Sequence, residues 1–310
     1  MVSVVAMDLR QLRALVAIAD HGSFSAAAAA LHTVQSNVSS HVARLETELG
    51  VQLVDRQRGT LTEEGEAVVE RARRIAAELD AAVSDVAAMR SEVAGSVSLG
   101  MIGTTAQWLA PLLVDRLSER HPRVRLVIGD GTSATLEPRL VGGALDMTVV
   151  NLPRTSPDLT ERALFDEDLL LVVPTDDALA GRDRVTMGDL DGRHLLLPAS
   201  GTAFRDEIDS AARAAGVTLI AKAEVDGVRL MASLCFRGYG PAFLPATGTT
   251  EVAGSFATIR VDGLPPRRVG VMVRRRGRPS APARALLDIL DEVIAANLNG
   301  QYGLHPPGGS

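Results

Sequence analysis

No disulfide can form within this chain, because Cys235 is its single cysteine. That fits a reducing compartment, excludes a two-thiol redox switch and leaves a buried, inert thiol as the expectation. Lysine is nearly as scarce. Lys222 stands alone, and no Gly-x-x-x-x-Gly-Lys-Ser/Thr loop surrounds it, so a P-loop nucleotide site is missing. No His-Glu-x-x-His pair occurs, and His21, His32, His41, His121, His194 and His305 are scattered without metal-ligand spacing. No Gly-x-Ser-x-Gly elbow marks a hydrolase. The expectation is therefore a chain that is not an enzyme, with no catalytic or metal-binding residues and no cofactor.

Long apolar runs are absent as well. None approaches the roughly 20 residues needed to cross a bilayer. The apolar start before Met7 lacks the basic flank and processing site of an export signal. The expectation is a cytoplasmic protein without membrane contact. A net charge of −6 speaks against a polyanionic partner only if charge is spread evenly. In residues 1–60, Arg10, Arg13, Arg44, Arg56 and Arg58 balance Asp8, Asp20, Glu46, Glu48 and Asp55, so any phosphate-binding surface must be local.

What is present divides in two. From Thr62 to Val93 the chain has no proline and is rich in Ala, Glu and Arg, which predicts one long helix. Val68, Ala72, Ile75, Leu79, Ala82, Val86, Met89 and Val93 step by four and three alternately, the repeat that keeps a seam facing a partner helix. Self-association is favoured over a helix lying on its own domain. After Gly95, β-rich runs alternate with helical stretches, an α/β pattern. Strands are expected at 97–101, 124–128, 147–150, 169–173, 195–197, 221–225, 242–244 and 269–273. Helices are expected at 107–120, 133–141, 202–215, 228–237 and 281–298. Ligands of such sheets sit outside the carboxyl ends of the strands, where loops lead into helix N-termini.

Residues 8–50 hold three short helical segments, Leu9–Asp20, Ser25–Leu31 and Gln35–Leu49. Ala27, Ala28 and Leu31 face Val38, Val42 and Leu45 across a tight turn, which is helix-turn-helix spacing. The second helix of such a unit lies in the major groove and presents its first turns to base edges. Here those turns offer Gln35, Ser36, Asn37, Ser39, Ser40 and His41, with Gln35 and Asn37 suited to adenine. The stretch Gln52–Thr60 has strand and turn character, and as a wing it would carry Arg56 and Arg58 to the DNA backbone or minor groove. A protein-binding helical domain with a polar face is the competing reading.

The run Leu9-Arg10-Gln11-Leu12, Gly22-Ser23-Phe24-Ser25-Ala26-Ala27-Ala28, Leu31-His32, Gln35, Val38-Ser39, Arg44-Leu45-Glu46, Leu49-Gly50-Val51, Leu53, Arg56 and Leu61-Thr62-Glu63-Glu64-Gly65 resembles the LysR-type transcriptional regulators. The resemblance covers nearly the whole chain. Val34 and Ser40 depart from the family's common Ser and Arg, with Thr33 the nearest hydroxyl for a helix cap. The resemblance implies an α+β multidomain protein. Residues 1–65 would be an all-α winged helix-turn-helix that binds promoter DNA, with Arg44 among its contacts, and 62–93 a dimerising linker helix. Residues 95–298 would be a two-lobed α/β effector domain resembling type 2 periplasmic binding proteins, with lobe I at about 95–162 and 266–298 and lobe II at about 163–265. Residues 299–310 read as a flexible tail. A homodimer that assembles to a tetramer, and contact with RNA polymerase, belong to the same expectation. A solute-binding transport protein would explain the lobes but not residues 1–93.

The resemblance places a small-molecule effector between the lobes, and loops matching it are present. Thr104 and Thr105 follow the first strand and open a helix, a combination of hydroxyl and free N–H groups suited to a small organic acid. Thr132 and Ser133 follow the second strand, and Asn151 ends the third. In the second lobe Ser200, Thr202 and Arg205 open a helix, Gly227 opens the next, and Phe243 lies in the Gly238–Pro245 turn and strand. Ser and Thr at helix starts also serve as caps, and Arg205 also suits a surface salt bridge. Arg274–Arg276 with Arg278 reads as a solvated edge that discourages strand pairing.

Overall fold

The computed structural model describes residues 7–56, 58–89, 93–249 and 256–308. Gln57 of the expected wing and residues 90–92 of the expected long helix lie outside these. The chain divides into two compact units, Met1–Val86 with Val141–Ala144, and Ala87–Leu140 with Leu145–Ser310.

In the first unit, α1 (Leu9–His21) starts at a capping box in which the Asp8 carboxylate accepts the Gln11 N–H and the Gln11 side chain accepts the Asp8 N–H. It buries Leu12, Leu15 and Ile18. Next come α2 (Phe24–Ala30), capped by Ser23, and α3 (Gln35–Leu49). Between them His32 takes φ 51°, the left-handed conformation that lets the chain reverse after a helix. Ala27 and Ala28 share one core with Val38, Val42 and Leu45, their small side chains allowing the helices to approach. A two-stranded wing, β1 (Val54–Asp55) antiparallel to β2 (Thr60–Leu61), leads into α4 (Glu63–Ala88). The Thr62 hydroxyl accepts the Gly65 N–H at 3.0 Å, and Glu63, Glu64 and Glu66 complement the helix dipole. Gly65 is required sterically, since a Cβ there would meet the Leu53 carbonyl oxygen at 2.0 Å. The helix stops at Ala88 rather than at Val93. Its first turns bury Val69 and Ala72 in the core of the helix-turn-helix unit, the DNA reader of the sequence expectation, whereas Ile75, Leu79, Val83, Val86 and Met89 are exposed.

The second unit contains two lobes. One sheet runs in the order β14 (Leu304–His305), β6 (Leu159–Glu167), β13 (Arg267–Arg274), β5 (Met147–Leu152), β3 (Gly95–Ile102), β4 (Val124–Gly131). Strand β3 is parallel to both β4 and β5. Helices α5 (Gly103–Arg120) and α9 (Ala281–Asn297) pack against each other in this lobe, and α6 (Ser133–Val141) follows β4. The other sheet runs β10 (Ile220–Val225), β9 (His194–Pro198), β11 (Ala242–Pro245), β7 (Leu169–Pro174), β12 (Phe256–Asp262), β8 (Arg184–Thr186). Its helices are α7 (Ala203–Ala214) and α8 (Val228–Phe236). Leu169 to Val173 are buried without alternation, as a central strand covered on both faces requires.

The chain crosses between lobes twice. The first crossing falls at Asp168, between β6 and β7, because β6 stays in lobe I to Glu167 and not only to 162. The second lies between Asp262 and Arg267. Residues 299–308 are not a free tail. Leu304 and His305 pair with Glu167 and Asp166 as an added edge strand.

Candidate functional site

The reading helix exposes Gln35, Ser36, Asn37, Ser40 and Arg44, and half-buries Ser39 and His41. Two of these side chains are already steered. Gln35 Oε1 accepts the Ser25 hydroxyl at 3.1 Å, and Asn37 Nδ2 donates to Thr33 Oγ1 at 2.9 Å. Thr33 is therefore not the cap. Val34 holds that position and offers no side-chain acceptor, which leaves the first amides of α3 without a capping partner. The expected wing arginines separate. Arg56 turns back to Glu46 at 3.3 Å and lies over the Phe24 ring, while Glu46 also accepts the Leu53 and Val54 N–H groups at 2.9 and 3.2 Å. Arg58 points outward with its side chain 82% exposed, its loose pair with Asp55 stretched to 3.7 Å.

In the two-lobed unit the predicted effector residues fall into three groups. Some are committed to structure. Phe243 is enclosed in the lobe II core with Leu171, Leu197 and Ile208, so its side chain cannot touch a ligand, a correction to its place among the candidates. The Thr202 hydroxyl donates to the Ala199 carbonyl at 2.8 Å and accepts the Arg205 N–H at 3.2 Å, the bonds of a cap. Arg205 donates to Asp209 and Glu224, each at 2.9 Å, and Ser200 donates to Glu224 at 3.0 Å. The hydrogen bonds of Arg205 and then Ser200 hold the Glu224 carboxyl below the usual carboxylate range. This is the salt-bridge alternative for Arg205, with no cation left over for an anion. Others are open: Thr132 is exposed, and Gly227 heads α8 at φ 101° with free space about it.

The third group gathers at the carboxyl ends of β3, β4 and β5. Ser133 Oγ accepts the Asn151 N–H at 3.2 Å. Thr104 and Thr105 are buried at the head of α5. The side-chain oxygens of Thr105, Asn151 and the neighbouring strand residue Thr148 are buried without a hydrogen-bond partner among the described residues, an uncommon condition that invites a polar guest.

Sequence reading missed the charged residues at this end. Glu167 is fully buried and paired with Arg267 at 2.6 Å. Arg267 also donates to Thr104 Oγ1 at 3.0 Å, while the N–H and hydroxyl of Thr247 both donate to Glu167 at 2.6 Å. Arg229 of α8 reaches from lobe II to pair with Asp130 of β4, passing so close to the head of α5 that a Cβ on Gly103 would lie 3.2 Å from its Nε. The acid run Asp166-Glu167-Asp168 and the pair Arg267-Arg268 were the available signal, opposite charges at the two lobe crossings.

A winged helix-turn-helix joined through a long helix to a two-lobed α/β domain defines a ligand-responsive transcriptional regulator. Residues 9–66 match the bacterial regulatory helix-turn-helix proteins of the lysR family, and residues 90–295 match the LysR substrate binding domain. The chain belongs to the LysR family of DNA-binding transcriptional regulators with an effector-binding domain. It is 32% identical over 294 residues to a probable hydrogen peroxide-inducible genes activator of Streptomyces viridosporus, covering 93% of this chain and 94% of that one. It is 28% identical over 302 residues to the DNA-binding transcriptional dual regulator OxyR of Escherichia coli (strain K12), covering 96% and 97%. Among solved structures, a cysteine-to-aspartate variant of full-length OxyR from Pseudomonas aeruginosa shares the fold with a TM-score of 0.76 at 24% identity, covering 98% of this chain and 99% of that one. Full-length CbnR in complex with its target DNA does so with a TM-score of 0.67 at 24% identity, covering 94% and 99%. The named relatives are regulators, not enzymes. Among the described residues no helix is long and apolar enough to cross a membrane, and no cluster of His, Cys, Asp or Glu could hold a metal ion.

Proposed function

We propose that the chain acts in the cytoplasm as a homodimer, or a dimer of dimers, whose paired readers grip promoter DNA and whose effector binds between the lobes without covalent chemistry. The observation that carries the non-covalent reading is Cys235. A thiol that senses peroxide must reach the thiolate state and meet the oxidant, and a disulfide needs a second thiol. Cys235 has no second thiol in the chain, is fully buried, donates to the Val172 carbonyl oxygen at 3.7 Å, and is pushed up to about 12 by burial. The peroxide response in the names of the relatives therefore does not transfer through thiol chemistry. Hydrogen peroxide is expected to leave operator affinity within about twofold of its untreated value, a change of about 0.4 kcal/mol, and Cys235→Ala is expected to match. A mobility-shift titration with and without peroxide checks this; a peroxide effect abolished by Cys235→Ala would overturn it.

For the DNA face, Gln35, Ser36, Asn37, Ser39, Ser40 and His41 are the proposed base-side contacts, with Arg44, Arg56 and Arg58 toward the backbone. The outward course of Arg58 gives it the larger share there. The uncapped start of α3 adds amides for a phosphate. Removing a base reader should act on discrimination, whereas removing a phosphate contact weakens all sequences alike. Gln35→Ala is accordingly expected to lower the operator-to-random affinity ratio by about 1–3 kcal/mol. Arg58→Ala is expected to weaken both DNAs and to flatten the salt dependence. Equal losses on both DNAs for Gln35→Ala would reject its reading role.

For the effector, Thr104, Thr105, Ser133 and Asn151 form the proposed lobe I side, with Thr132 at its rim. Arg229 is the proposed cation for a small organic acid, since its exposed pair with Asp130 can be exchanged at little cost. Ser200, Thr202, Arg205 and Gly227 act there through the shape of the lobe II loops. Because both lobes contribute, binding has different strength in open and closed arrangements, which is the condition for a ligand to shift their balance.

A further inference from the structure

Beyond residue 295, where the match to the family domain ends, the chain turns back and lies across both lobe crossings. At the first crossing Asp168 gathers three neighbours, two by its carboxylate and one by its backbone N–H. Its Oδ1 meets His305 Nε2 at 2.9 Å, its Oδ2 accepts Arg260 Nε at 3.1 Å from β12 of lobe II, and the Asp168 N–H donates to the Gly303 carbonyl at 2.8 Å. The Tyr302 ring stacks against the Arg260 guanidinium at 5.1 Å. At the second crossing Arg268 pairs with Asp166 at 2.8 Å and donates to the Gly308 carbonyl at 2.6 Å, while the Gly308 N–H donates to Asp166 at 2.8 Å. The hydrogen bond from Arg268 holds the Asp166 carboxyl below the usual carboxylate range.

The close approach is built into the sequence. Gly303 has φ 76°, and a Cβ there would stand 2.8 Å from the Ala246 Cβ of lobe II and 3.4 Å from the Asp168 Cβ. Leu304 is buried and pairs with Glu167, whose carboxylate holds Arg267 and through it the Thr104 hydroxyl. One segment thus touches lobe I by its backbone ladder and lobe II through Arg260 and Ala246, and reaches the head of α5 through Glu167 and Arg267.

Two-lobed domains close by changing a few backbone angles at their crossings. A segment bonded to both crossings and to both lobes restricts those angles. We propose that residues 302–308 form a strap across the hinge that fixes the angle between the lobes, so that the effector response depends on the strap as well as on the cleft. Asp168 is its node and acts as a positioning residue without touching any ligand.

The test measures the angle directly, without an effector, in the full-length chain. Spin labels at Ser118→Cys in α5 and Arg213→Cys in α7, both exposed positions on opposite lobes, report the interlobe distance. Excess unlabelled chain removes signals between protomers, and the buried Cys235 does not take the label. A second pair, Ser118→Cys with Arg276→Cys, lies within lobe I as a control. With residues 301–310 deleted, or with Asp168→Asn, the interlobe distribution is expected to lose its single narrow peak while the control pair keeps its own. An interlobe distribution unchanged in both variants overturns the proposal. If the deletion disturbs the control pair as well, the decision passes to Asp168→Asn and to Tyr302→Ala combined with His305→Ala, which keep the backbone ladder: broadening supports the strap and an unaltered peak rejects it.

Discussion

Glutamate at both Val83 and Val86 is expected to lower operator affinity by about 10²-fold to 10⁴-fold, the range by which joining two binding modules raises avidity. The helix α4 enters the reader core through Val69 and Ala72, then leaves Val83 72%, Val86 56% and Met89 84% exposed. A row of large apolar side chains this wet is costly for a lone chain and fits a partner helix. The row runs into a groove of about 250 Å³ lined by Leu9, Leu12, Val16, Leu31, Ala76 and Leu79, continuous with it through Leu79. A second copy of the same helix is the occupant whose pattern matches. Since Val83 and Val86 touch no core cluster, the paired substitution should leave the reader's melting intact while sedimentation shows single chains. Unchanged affinity in a chain shown to be monomeric would mean that one reader suffices.

Glu167→Gln is expected to cost the two-lobed unit about 3–5 kcal/mol, because it leaves the Arg267 guanidinium buried without its counter-charge. Arg267 is 8% exposed and Glu167 not at all, so water cannot take over. For a unit of this size the loss corresponds to a melting temperature lower by roughly 6–20 °C. Glu167→Leu with Arg267→Leu is expected to recover part of it, since removing both charges removes the desolvation penalty while the Thr247 N–H and hydroxyl lose their acceptor. Denaturant unfolding of the parent and the two variants measures both effects. A Glu167→Gln chain as stable as the parent would show that the pair is not enclosed. The pair also bears on function, because Arg267 holds Thr104 at the candidate effector site.

The sequence made the helical elements legible wherever periodicity, caps and small residues agreed. The turn at His32, the close Ala27 and Ala28 contact and the start of α4 all carry local signatures. Strands β6, β8, β12 and β14 were not expected. In β6 the run Thr160-Glu161-Arg162 is exposed and breaks the apolar alternation before Phe165 restores it. β8 and β14 are too short for a period, and β12 mixes Thr and Arg into its apolar run. The helix stop at Ala88 carries no glycine or proline to announce it. At the site, hydroxyls at helix heads were readable, but their commitments were not. Whether Thr202 caps, Phe243 fills a core, or Arg56 folds back on Glu46 depends on partners far away in sequence. The strap was hidden by composition, since a Gly- and Pro-rich segment reads as loose chain until Asp166, Asp168 and Arg260 are brought beneath it.

Operator recognition as proposed requires two readers joined by α4 and set on one duplex. Selection of bound duplexes from random sequence by the full-length chain, followed by footprinting on the winner, tests this most directly. Two related half-sites in inverted orientation are predicted, spaced by about one helical turn or a multiple of it, and protected together. Enrichment of a single unrepeated site, or of no sequence above the random pool at modest salt, would contradict it.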